Sequence, residues 1–359
     1  MSIETERGLQ ESVADVESPL RMRGELPRWA PWALLVGSFV VVGGVLAATG
    51  FSVPLLVVLS AVLYAVATYV LSTVVEGRRK ATDRLVTIVV TSAFLVALTP
   101  LVSVVITVVG NGLARFDAEF FNSSMRGIVG EGGGGYHAII GTLLITGLAA
   151  VMSIPIGLLT AVYLVEYGKG RLARAITFFV DVMTGIPSIV AGLFAFALFA
   201  LFFGPGVRLG FAGSVALSVL MIPVVVRSTE EMLKIVPNEL REAAYALGTP
   251  KWRTIVKVVI PTSIAGIASG VTLAIARVIG ETAPLLIVAG LTTGVNFNPF
   301  DGRMATLPVF AYISYAAPGV PREPYLDRAW TAALVLIIIV LVLNLVARLV
   351  ARLFAPKTR

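Results

Sequence analysis

The stretch "TSIAGIASGVTLAIARVIGETAPLLIVAG", Thr262 to Gly290, decides the fold class. It is longer than the roughly 20 apolar residues that a helix needs to cross a ~30 Å hydrocarbon slab. Yet it holds two charges, Arg277 and Glu281. Four residues apart, they are expected on one face of a single helix. Arg277 then lies about 22 Å along the helix from Thr262, at ~1.5 Å per residue. Ionisable side chains at such depth are costly, turn towards a bundle interior or a wet cavity, and mark functional positions.

The rest of the chain agrees with this reading. Of its 359 residues 57% are hydrophobic and 14% charged, where a soluble chain carries about 25% charged residues. With a mean hydropathy of +0.92 this is a polytopic membrane protein, its solvent the lipid bilayer. There is no cysteine for a disulfide framework or a thiolate metal site, and the single histidine, His137, excludes a histidine-cluster metal centre. No cofactor or metal is expected. The net charge of +7 is spread over loops with no basic arm, so nucleic acid is excluded as a partner. The start, "MSIETERGLQESVADVESPLRMRGELPR", lacks the short basic opening of a signal peptide and reads as a disordered cytoplasmic tail.

Eight apolar runs are expected to span: Ala30–Ala48, Val53–Val75, Leu85–Val109, Ala138–Leu164, Ile176–Phe203, Phe211–Val226, Thr262–Gly290 and Trp330–Leu349. The runs are continuous rather than alternating, so they are helices and the class is all-α. "EGRRKATDR", "GKGRLAR", the segment Arg227–Lys257 and the closing "ARLFAPKTR" then fall on one side with the N-terminal arginines. Positive charge favours the cytoplasmic side, so both termini are expected there. The organisation expected is a tail over 1–29, a helical hairpin with a third span and an outer loop over 30–136, a core over 137–350 and a tail over 351–359. His137, at the mouth of the fourth span, reads as interfacial, and Tyr312, Tyr315, Tyr325 and Trp330 as aromatic-belt anchors.

"MSIPIGLL" and "TGIPSIVAGL" put Pro155, Gly185 and Pro187 inside apolar runs. Proline removes a donor and kinks a helix. Two readings stand for Pro187 and the nearby Asp181: packing and interfacial residues, or a hinge or pathway-lining break. No G-x-x-x-x-G-K-[ST], G-x-S-x-G or H-E-x-x-H is present, so no nucleotide-phosphate cradle, nucleophile elbow or zincin site is expected, and there are no catalytic residues.

The longest loop on the cytoplasmic side reads "RSTEEMLKIVPNELREAAYALGTPKWRTIVKVVIPTSI". Asn238, after Pro237, is expected to N-cap a short helix over Glu239–Leu247. Gly248 suits its C-terminus, and Thr249-Pro250 turns the chain out before the next helix. Ala243 and Ala244 leave the surface of that helix open to close approach by another protein. An ordinary amphipathic connector is the alternative.

"EAAYALGTPKWRTIVKVVIP" resembles the EAA loop of ABC-importer permeases, with Glu242, Ala243, Ala244, Gly248 and Pro261 in register and Val258 and Ile260 at the apolar positions. With "DVMTGIPSIVAGLF" and "LAIARVIGETAPLL" the chain resembles the PstA-type permeases of phosphate ABC importers over roughly His137 to Arg348. The resemblance implies a type I importer core. It also implies a homologous PstC-like permease, a dimer of PstB-like ATPases and a PstS-like phosphate-binding protein as partners. Glu242, Ala243, Ala244 and Gly248 would couple to the ATPase, which carries the hydrolysis. Arg277, Glu281 and Thr282 would lie on the pathway of inorganic phosphate, where guanidinium matches phosphate oxygens and the carboxylate tempers binding. An interhelical ion pair, with Asp181 as a third member, is the structural alternative. Other oxyanions (sulfate, molybdate), a gradient-driven secondary transporter and a membrane scaffold in phosphate sensing are the alternative functions.

Overall fold

The computed structural model describes residues 24–354. The expected tails therefore lie outside the described residues at 1–23 and 355–359. Every regular element among the described residues is helical. The chain divides into two compact units, Met1–Val104 and Val105–Arg359. Seven helices are long and apolar enough to cross a membrane, and a bent pair brings the number to as many as eight, in line with the expected count.

In the first unit, α1 (Ala30–Thr49) and α2 (Val53–Val75) form a hairpin turned at Gly50, whose φ of 127° few other residues adopt. Its seam buries small or polar side chains, Ser38 on α1 and Ser60, Thr68 and Ser72 on α2. Between lipid-facing helices apolar surface alone gives little drive to associate, so closely fitted small residues hold the pair. α3 (Arg78–Gly112) begins in this unit.

Gly24–Arg28 is non-helical, and its Leu26 N–H donates to Glu76 at 2.9 Å. Glu76 also accepts from Ser72 at 2.7 Å and from Arg84 at 2.8 Å. Burial opposes ionisation of Glu76, but these bonds outweigh it and hold the carboxyl at about 2.

The second unit is built round α8 (Gly210–Ile235), 61% of whose most apolar window is buried, against 28% or less in every other candidate span. α5 (Tyr136–Val162, continued by a π-turn at Tyr163–Tyr167) packs on one side of α8. Next come α10 (Lys251–Thr254), a second π-turn (Ile255–Val259) and α11 (Ile260–Val278), which form one span and also lie on α8. Ile145, Ala149, Leu217, Met221, Val225, Ala274 and Val278 form the shared core. Close approach is built in: a Cβ on Gly270 of α11 would stand 2.5 Å from Ser228 Cβ of α8.

Two expected spans are not single helices. Ile176–Phe203 is split into α6 (Arg171–Thr184) and α7 (Ser188–Phe203), bent by 109°. Pro187 stands at the bend and lacks the N–H that would continue α6. By contrast, Pro155 lies inside an unbroken α5. Thr262–Gly290 is likewise interrupted: α11 stops at Val278 and α12 (Ala283–Val288) follows after a turn. Gly280 and Pro284 account for the stop, since one weakens the helix and the other cannot donate.

α12 is recessed into the bundle. A Cβ on Gly192, in the second turn of α7, would meet Pro284 Cα at 2.6 Å, whereas the Val288 carbonyl accepts from Leu209 N–H, at the start of α8, at 3.1 Å. The interruption before α12 therefore sits inside the bundle and Gly290 at its end. α13 (Leu307–Ala316) and α14 (Glu323–Phe354) complete the unit.

His137, in the first turn of α5, is 2% exposed and edge-on to Phe310 at 5.2 Å. Arg328 is fully buried and donates to the carbonyls of Gly130 and Gly132, both at 2.7 Å, which ties the glycine-rich loop to α14.

Candidate functional site

The end of α11 and the turn into α12 carry the two charges of this stretch, Arg277 and Glu281. Arg277 lies in the last turn of α11 and is exposed, on one face with Leu273 and Ser269. Glu281 falls in the turn, its N–H donating to Val278 O at 3.1 Å. The expectation that the two share a helix face fails because the helix ends between them. They form no ion pair, and neither side chain makes a hydrogen bond among the described residues. Asp181 is not their third member either. Thr282 is half-buried at the start of α12, its hydroxyl donating to Gly280 O at 3.5 Å. Arg277 stands one residue from the end of its span, Lys251–Val278, with no carboxylate to offset its charge.

Asp181 closes a different group. In the last turn of α6 it accepts from Arg227 of α8, which also donates to Glu230 at 2.7 Å, and Glu230 accepts from Lys234 at 2.7 Å. This chain of alternating charge staples α6, just before the Pro187 bend, to α8.

The expected loop helix is α9 (Asn238–Ala246). Asn238 does not cap it: Pro237 holds the cap position, and Asn238 Oδ1 instead accepts from Arg241 at 3.3 Å. Gly248, at φ +75°, ends the helix as expected, with its N–H donating to Tyr245 O at 2.9 Å. Glu242 and Ala243 are exposed, and Ala244 is buried against the loop. Leu240, Tyr245 and Leu247 add exposed apolar surface, 86% exposed in the case of Leu247.

What fixes α9 was not singled out in the sequence. Arg241 donates to Glu166 of the first π-turn and to the carbonyls of Leu233 and Val236, and Lys251 donates to Glu166 O from the far side. The signal was there. Glu166 is an acid at the end of a long apolar helix, and a buried acid requires a cation.

Residues 153–359 match the family of binding-protein-dependent transport system inner membrane components. The phosphate transport system permease protein PstA of Mycobacterium leprae is 50% identical over 270 residues, 74% of this chain and 87% of the relative. PstA 1 of Mycobacterium tuberculosis is 48% identical over 265 residues, 73% and 85% of the two chains. The chain belongs to the PstA permeases.

A more distant PstA, from Yersinia pestis, is 36% identical over 277 residues, covering 74% of this chain and 91% of that one. Among solved structures, a chain of a bacterial alginate ABC transporter in complex with an alginate pentasaccharide-bound periplasmic protein superposes with a TM-score of 0.53. At 15% identity over 77% of this chain and 96% of that one, the likeness is one of fold. As a permease, this chain is a multi-pass membrane subunit of an ABC transporter and works with the transporter's other components.

Proposed function

We propose that this permease is the membrane half of an ATP-driven importer of inorganic phosphate. The observation that carries the reading is Arg277, an unpaired guanidinium on an open face of α11 beside a backbone interruption inside the bundle. Guanidinium matches the oxygens of phosphate, and Thr282 adds a hydroxyl at the same turn. Glu281, unpaired, tempers the field so that the ion leaves again. The open face of α11 is the side on which a homologous PstC-like permease closes the pathway. The names of the relatives, all phosphate transport system permeases, support phosphate over sulfate or molybdate.

In this reading 137–350 is the permease domain and a PstS-like protein delivers the ion outside. A PstB-like ATPase dimer receives α9 through Glu242, Ala243 and the turn at Gly248, with the buried Ala244 behind them, and hydrolyses ATP. Basic loops at the α9 end support a cytoplasmic position for that end and for both termini. Asp181 and Pro187, at the bend between α6 and α7, form the hinge.

The test is labelled-phosphate uptake in cells lacking this chain, restored with wild type or Arg277→Gln, with excess sulfate as competitor. Wild type restores sulfate-resistant uptake and the variant, in an assembled complex, does not. Uptake by the variant at the wild-type rate removes Arg277 from the pathway, and loss of wild-type uptake under sulfate removes phosphate as the substrate.

A further inference from the structure

Three arginines at the end of the bundle opposite α9 have no role in the reading above. Arg208 lies in the short loop between α7 and α8, Arg303 in the loop before α13, and Arg126 after α4 (Ala118–Asn122). All three loops converge on Gly290–Gly294. Leu209 N–H donates to Val288 O, Met304 N–H to Ala289 O at 3.2 Å, and Met125 N–H to Thr293 O at 3.1 Å. The arginine stems follow. A Cβ on Gly290 would lie 3.0 Å from Arg208 Cδ and 3.4 Å from Arg303 Cδ, and one on Gly294 would lie 3.9 Å from Arg126 Cδ. Gly290, at φ +76°, admits both stems where any side chain would obstruct them.

None of the three side chains has an ion pair or a hydrogen bond among the described residues. Two arginine stems thus lie against one glycine, neither of them ion-paired, so like charges are gathered where an anion would offset them. α12 runs from the Arg277 interruption to this cluster, a length of about 9 Å for six residues at ~1.5 Å each.

We infer that Arg208 and Arg303, flanked by Arg126, form an oxyanion-receiving site at the mouth of the pathway, one short helix above Arg277. The inference rests on the importer reading for its direction of travel, but the site itself is tested without transport. A tetrahedral oxyanion is the class of ligand that fits, because planar donors on two sides meet its oxygens bidentately.

The experiment is modification of the assembled complex by phenylglyoxal, which reacts with accessible arginine. Labelling of the peptides holding Arg208 and Arg303 is read by mass spectrometry with added phosphate, sulfate or chloride at equal ionic strength. At phosphate ten times its dissociation constant, labelling of both is expected to slow about elevenfold, the factor 1 + [L]/Kd. Chloride should leave it unchanged. If no oxyanion slows the labelling, the site is overturned. If sulfate protects and phosphate does not, the oxyanion site stands and the phosphate reading falls. Protection only by the anion-free binding protein would make the arginines a docking contact for carboxylates and overturn the proposal.

Discussion

Arg241 Nε and Nη2 both donate to one oxygen of Glu166, at 3.0 and 2.9 Å, across 75 residues of sequence. The two side chains are 13% and 5% exposed, so this is a buried pair between α9 and the end of α5. A movement imposed on α9 is therefore delivered to α5 as well as to the helices on either side of it. Leaving one partner of such a pair uncompensated costs about 3–5 kcal/mol.

Arg241→Gln is accordingly expected to lower the melting temperature of the purified complex and to reduce uptake more than ATP hydrolysis. A charge swap, Arg241→Glu with Glu166→Arg, should recover part of both. Wild-type melting and coupling in Arg241→Gln would show that the pair does not anchor α9.

Glu76 makes the stability of the first unit pH-dependent. Its folded pKa, about 2, lies below the ordinary value of 4.5. The group therefore stabilises the fold fully above pH 4.5 and loses that contribution as pH falls from 4.5 towards 2. Protease protection of Leu26 and its neighbours should fall over that window. In Glu76→Gln the window should vanish, with a loss of order 2 kcal/mol at neutral pH. The same acid-side loss in Glu76→Gln would assign it to another carboxylate.

Gly192 and Gly147 form a matched pair for testing how α12 is seated. A methyl on Gly192 would overlap backbone, Pro284 Cα at 2.6 Å, whereas one on Gly147 of α5 meets nothing within 4 Å. Gly192→Ala should destabilise by about 1–3 kcal/mol. Gly147→Ala should be neutral or stabilising by up to ~1 kcal/mol, as alanine for glycine within a helix. Thermal unfolding in detergent compares them, and equal melting points would refute the close seating of Pro284.

Within the staple from Asp181 to Lys234, exposure ranks the members. Asp181 is 60% exposed and Glu230 11%. Asp181→Asn should cost less than about 1 kcal/mol. Glu230→Gln, which leaves Arg227 with one exposed partner, should cost about 1–3 kcal/mol. The opposite order in chemical denaturation would mean that Asp181, not Glu230, holds Arg227.

The helical architecture was legible in the sequence because lipid demands continuous apolar runs and leaves few alternatives. The loop helix and its glycine stop were equally plain, since Gly248 needs positive φ and Pro250 starts the next segment. The interruption between Arg277 and Glu281 was missed. Counting apolar residues tolerates a break as short as Ile279 to Thr282, although Gly280, Glu281 and Pro284 carried the signal. The Arg241 pair with Glu166 and the convergence of Arg208 with Arg303 depend on residues far apart in sequence, so only the folded chain brings them together.

The π-turns at Tyr163–Tyr167 and Ile255–Val259 stand on either side of α9, one carrying Glu166 and the other following Lys251. Each holds one residue more per turn than the α-ladder around it. Excising that residue from either would restore α-geometry and leave the span beyond it in nearly the same phase, because the surplus residue is taken up within one wider turn. The two widened turns therefore work as slack: they fit an extra residue beside α9, Glu166 in one case, without turning the rest of the span away from the face it shows the bilayer.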